Sequence, residues 1–84
     1  MKTYTIDCSL LDDGRQLHQT LADTMEFPAW YGANLDALFD CLTSLTEHTQ
    51  LTLANWDADR FGKGFARVLA DAAVESDQFT VIFA

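Results

Sequence analysis

Chemistry in this chain would have to start from PAWYGANLDALFDCL, residues 28–42. Asp36 and Asp40 stand one helical turn apart there, so they share a face. Paired carboxylates can do acid–base work on a glycoside or hold a hard cation. Both uses need surroundings that this pattern does not supply. Adjacent turns of one exposed helix make no cleft and no dry medium to raise a carboxylate pKa. A dedicated cation cage wants more oxygen ligands. The other reactive residue types fare no better. Cys41 falls among the leucines of the same helix with no histidine at a readable position, which predicts a buried thiol rather than a nucleophile. His18 has no second His or Cys at ligand spacing and is read as a packed or surface histidine. His48 follows Glu47 in an expected loop. No P-loop, GxGxxG, nucleophile elbow or HExxH occurs. The expectation is a protein that is not an enzyme and uses no cofactor or metal.

Binding accounts for more of the pattern. Trp30, Tyr31 and Phe39 flank the two carboxylates, and protein–protein hot spots favour Trp and Tyr among residues that exclude water. Such a cluster would form a dry, negatively charged plug. Ordinary core packing is the alternative for each aromatic, and Trp56 is assigned to the core.

The elements that position these residues follow from local signals. Asn34 is a good N-cap. At 100° intervals from it, Leu35, Leu38, Cys41, Leu42 and Leu45 fall in one arc. Asp36 and Asp40 lie opposite with Thr43 and Ser44, and Phe39 sits at the border. Asp36 complements the helix dipole in the first turn. Asp40 lies beyond that benefit and repels Asp36, at about 0.2–0.5 kcal/mol in an isolated helix. That is a small local choice against stability.

Upstream, residues 2–8 alternate as a strand with Tyr4, Ile6 and Cys8 on one face. Asp12 or Asp13 can cap a helix that carries Leu17, Leu21 and Met25 to the break at Phe27-Pro28. Downstream, residues 50–53 read as a second strand, shielded by Trp56. A short helix from Asn55 or Asp57 should stop at Gly62 in a left-handed C-cap. Lys63-Gly64 then turns the chain. A longer helix to about Glu75 would bury Phe65, Val68, Leu69 and Ala72, with Asp71 off that face as a partner for Arg67. FTVIF, residues 79–83, reads as a strand buried on both faces. The order is βααβααβ. Connections this long predict parallel strands with right-handed crossovers, in one α/β domain over residues 1–84.

Bulk composition narrows the partner. The 84 residues carry 13 acidic and five basic side chains, a formal net charge of −8. No formal positive charge lies between Arg15 and Arg60, while that span holds Asp23, Glu26, Asp36, Asp40, Glu47, Asp57 and Asp59. Direct nucleic-acid binding and an anionic membrane are disfavoured, because no basic surface neutralises phosphates. A basic protein partner fits, since opposed fields speed encounter. The bland alternative is a solubility charge. Cys8 and Cys41 lack metal-ligand spacing and read as buried thiols of a reducing compartment, with a single disulfide as the alternative. No signal segment and no apolar run near 18 residues is visible, so the expected location is cytoplasmic.

The chain resembles the barstar family of ribonuclease inhibitors. The similarity is carried by Leu17-His18-Gln19-Thr20-Leu21, Pro28, Tyr31-Gly32, Asn34-Leu35-Asp36-Ala37-Leu38, Asp40-Cys41-Leu42-Thr43 and the C-terminal Thr80-Val81-Ile82. It implies a three-stranded parallel sheet packed with helices. It also implies an intracellular inhibitor of a basic, barnase-like guanyl-specific ribonuclease. By this resemblance Asp40 enters the ribonuclease active site at a substrate-phosphate position, and Asp36 pairs with further cationic groups. Trp30 covers the catalytic histidine of the target. Gly32, Asn34 and Leu35 make backbone and apolar contacts, and Asp71 aligns with a peripheral glutamate. Three positions depart from the pattern: Phe39 replaces a tryptophan, Ser44-Leu45 replaces a glycine and an aromatic, and Trp30 replaces a tyrosine. The charged centre is kept while its aromatic rim changes, which bears on target choice. An immunity protein for another toxin nuclease and an acidic adaptor for a basic non-nuclease protein are the alternatives.

Overall fold

A computed structural model describes residues 1–84. The elements run β1 (Lys2–Asp7), a 3-10 turn (Cys8–Leu10), α1 (Gly14–Met25), α2 (Leu35–Thr43), β2 (Thr49–Ala54), α3 (Ala58–Phe61), α4 (Lys63–Glu75) and β3 (Phe79–Phe83). The strands form one parallel sheet in the order β1-β2-β3. The expected βααβααβ order and parallel sheet are both present.

Local chemistry sets most boundaries. Asp13, the second of the two candidate caps, accepts a hydrogen bond from the Gln16 backbone N–H (3.0 Å) and opens α1. That helix runs to Met25, as the spacing predicts, and Glu26 separates it from the Phe27-Pro28 break. Glu26 takes a left-handed conformation (φ 55°), and the Phe27 N–H donates back to the Ala22 carbonyl (3.0 Å). This six-to-one bond closes the helix before the proline can act. Asp57 caps α3.

Gly62 differs from expectation: its φ of 87° is positive, but its ψ of 154° is extended rather than left-handed helical. Lys63-Gly64 is not a turn either. Gly62 alone makes the corner, and Lys63 already opens α4. Gly64 has another use there. A Cβ on it would lie 2.8 Å from Leu35 Cδ1, so its bareness lets α4 close on the start of α2.

The core lies on one side of the sheet. Ile6, Leu51, Leu53 and Phe79 join Leu17 and Leu21 of α1, Leu38 and Leu42 of α2, and Phe65, Leu69 and Ala72 of α4 in a single cluster. Each enclosed leucine contributes about 1.5–3 kcal/mol of burial. The opposite sheet face shows Thr3, Thr5, Thr52, Thr80 and Ile82, at best half-buried. This corrects the reading of residues 79–83 as buried on both faces. β3 is an edge strand, and Ile82 and Phe83 remain 41% and 39% exposed. A continuous apolar run says nothing about which side the helices cover. Here they all lie on one, an unusual arrangement for a parallel sheet. Phe83 rests instead against Trp56 at the sheet's end (5.1 Å between rings). Trp56, assigned to the core, is half-buried and packed against it.

Candidate functional site

Asn34 caps α2 as its type predicts. Its Oδ1 accepts the Ala37 N–H at 2.8 Å, and Leu35 begins the helix. Gly32 makes room for this cap, since a Cβ there would lie 2.9 Å from the Asn34 amide nitrogen. Between them Ala33 is held at φ 51°, a left-handed conformation that costs a residue with a Cβ.

The inner arc of α2 buries Leu38, Cys41 and Leu42, leaving Asp36 and Asp40 exposed. Neither carboxylate meets a cation. The ion pairs are Lys2–Glu47 (3.5 Å) and Arg60–Asp57 (3.7 Å), neither using a residue of α2. Two like charges on adjacent turns therefore stand uncompensated. Phe39 and Leu35 are half-buried at the edge of this face and pack against the core. Asp71 is exposed on α4, the helix packed against α2, and it forms no ion pair with Arg67, contrary to expectation.

The two loop aromatics divide. Trp30 is 62% exposed and stands outside the core. Tyr31 is half-buried, with its ring 4.9 Å from that of Phe27 and its hydroxyl hydrogen-bonded to His18 Nδ1. Burial, with the nearby Cys41 sulfur, pushes the Tyr31 hydroxyl up to about 12, so it stays protonated. His18 is buried, and that burial lowers its pKa from 6.5. Sequence reasoning passed over His18 as a functional residue. Its partner is 13 positions away in a loop, and no periodicity links them.

A cleft of about 330 Å³ opens between α1 (Arg15, His18, Gln19) and the loop (Pro28, Tyr31, Ala33), and no carboxylate or thiol lines it. Cys8 and Cys41 are free and buried. Burial raises both thiol pKa values, helped by the charges of Asp7 and Asp40 respectively. That is the opposite of what a nucleophile needs. No cluster of His, Cys, Asp or Glu is placed to hold a metal ion. No helix is long and apolar enough to cross a membrane.

Fold and surface together describe a small acidic α/β protein with a bare carboxylate pair on one helix. The family model described as Barstar (barnase inhibitor) matches residues 1–84. The chain belongs to the barstar family. It is also 37% identical over 76 residues to a protein of Bacillus subtilis (strain 168) named "Putative ribonuclease inhibitor YrdF", covering 89% of this chain and 80% of that protein.

Proposed function

We propose that this protein is a stoichiometric, non-covalent inhibitor of a basic, barnase-like guanyl-specific ribonuclease, acting inside the cell. The observation that carries the reading is the uncompensated Asp36/Asp40 pair on α2, with an exposed Trp30 on the loop before that helix, in a barstar-family chain. Carboxylates left without cations in the free protein are available to the arginine, lysine or histidine side chains that otherwise hold RNA phosphates. Asp40 would enter the substrate site, Asp36 would pair beside it, and Trp30 would cover the catalytic histidine. Gly32, Asn34 and Leu35 shape the rim, with Tyr31 and Phe39 behind it, and Asp71 adds a peripheral charge from α4. Inhibition would work by occupation alone and would involve no reaction of the inhibitor.

The test is RNA cleavage by a panel of barnase-like ribonucleases with increasing amounts of this protein at low and high salt. The expected result is one-to-one inhibition of at least one member, weakened by salt as opposed charges are screened. If no member is inhibited at micromolar protein and low salt, the reading fails. Inhibition only of a nuclease of another class would move the target to that toxin and leave the binding face in place.

A further inference from the structure

His18 is a buried polar group that none of the expected partner contacts uses. The residue is 7% exposed, and its ring packs 4.6 Å from the Phe65 ring of α4 and bonds through Nδ1 to the Tyr31 hydroxyl. Tyr31 belongs to the loop that presents Trp30. Within that loop the Tyr31 N–H donates to the Pro28 carbonyl (3.0 Å), and Ala33 is kept left-handed. The cleft of about 330 Å³ lies between this loop and α1. The loop is thus a strained segment standing over empty space, and the Tyr31–His18 bond is the side-chain hydrogen bond joining it to α1.

We propose that His18 is a positioning residue, whose bond to Tyr31 ties loop 28–33 to α1 and so sets Trp30 for the partner. The inference deepens the inhibitor reading and rests on it for the partner's part. The phenol is the stronger acid and the imidazole nitrogen the stronger base, so the Tyr31 O–H donates to Nδ1 of a neutral ring. A protonated ring must instead donate from Nδ1, which reverses the bond and places a cation in the interior. The groups facing it offer no relief. The loop presents the Tyr31 hydroxyl, α4 presents the uncharged Phe65, and on α1 the charged residue lining the same cleft is Arg15, also a cation. Burial accordingly lowers the His18 pKa. Acid should therefore loosen the loop before it unfolds the protein.

The test uses Tyr31→Phe, which removes only the hydroxyl, and His18→Gln, which keeps a polar group that does not titrate. In the free protein, the Trp30 indole N–H and Gly32 amide NMR signals of the wild type should move with the His18 titration. In Tyr31→Phe they should lose that pH response, and Trp30 should become more mobile while circular dichroism stays native. His18→Gln should show no movement over the same range. With an inhibited ribonuclease, Tyr31→Phe should bind about tenfold more weakly at pH 7, the scale of one lost hydrogen bond. Wild-type affinity should fall more steeply than that of either variant between pH 7 and 5. Unchanged Trp30 mobility and an unchanged pH response in Tyr31→Phe would overturn the proposal. If no ribonuclease is inhibited, the inhibitor reading fails, and the free-protein signals still decide whether His18 sets the loop.

Discussion

Asp40 shows in one residue how stability and binding pull apart. It sits one turn beyond the dipole's help and four residues from a like charge. Asp40→Ala should therefore leave the free protein unharmed, or more stable by about 0.2–0.5 kcal/mol, in urea unfolding. The same change should weaken ribonuclease binding by about a hundredfold or more in titration calorimetry, as expected when one partner of an enclosed charge pair is removed. Asp71→Ala should cost much less, because its contact would lie at the rim. Equal effects would place the centre of the interface elsewhere. Asn34→Ala should act in the opposite sense and destabilise the fold by about 1 kcal/mol, because Ala37 N–H loses its acceptor. His18 adds a pH signature to the fold itself. Its folded pKa lies below the free value of 6.5, so the unfolded chain takes up the proton more readily. The stability contributed by the neutral ring is whole above pH 6.5 and is lost as pH falls through that value toward the folded pKa. Denaturation midpoints across pH 7 to 5 should decline in the wild type and less so in His18→Gln.

Among the elements, the corner between α3 and α4 rests on backbone alone. Gly62 has φ 87° and ψ 154°, a region almost restricted to glycine, and nothing lies within 4 Å of where its Cβ would be. Gly62→Ala should cost about 1–3 kcal/mol in chemical denaturation through dihedral strain, with no packing defect. This corner also shows what a sequence can and cannot announce. A stop at Gly62 was readable, because a helix-capping aspartate and a glycine bracket four residues. The further turn read into Lys63-Gly64 was not there, because Gly64 answers to Leu35, nearly thirty positions earlier. The same division runs through the candidate site. The Asn34 cap, the buried arc of α2 and the outward Asp36 and Asp40 are consequences of spacing within one helix, and they were legible. The Tyr31–His18 bond and the open side of β3 depend on how separate elements come together. Nothing local encodes them. Trp30 and Tyr31 looked alike as neighbouring loop aromatics, and tertiary packing sent one outward and tied the other down.

At the scale of the whole molecule, thirteen acidic residues against five basic ones make salt act in two directions. In the free protein, screening relieves self-repulsion, so moderate sodium chloride should raise the thermal midpoint. In the complex the same salt screens attraction, so the association rate should fall over that range. Stopped-flow and thermal melts on one sample series would check both; parallel trends would argue against an electrostatically steered partner. The parallel sheet has a further, mechanical consequence. β1 and β3 flank β2 and run in the same direction, so the start of the first strand and the end of the last lie at opposite ends of the sheet. Tension applied between Lys2 and Phe83 pulls along the strands and loads both hydrogen-bond ladders in shear, many bonds at once. A pull across the sheet would open them one at a time. The molecule is thereby toughest along its strands and weakest across them.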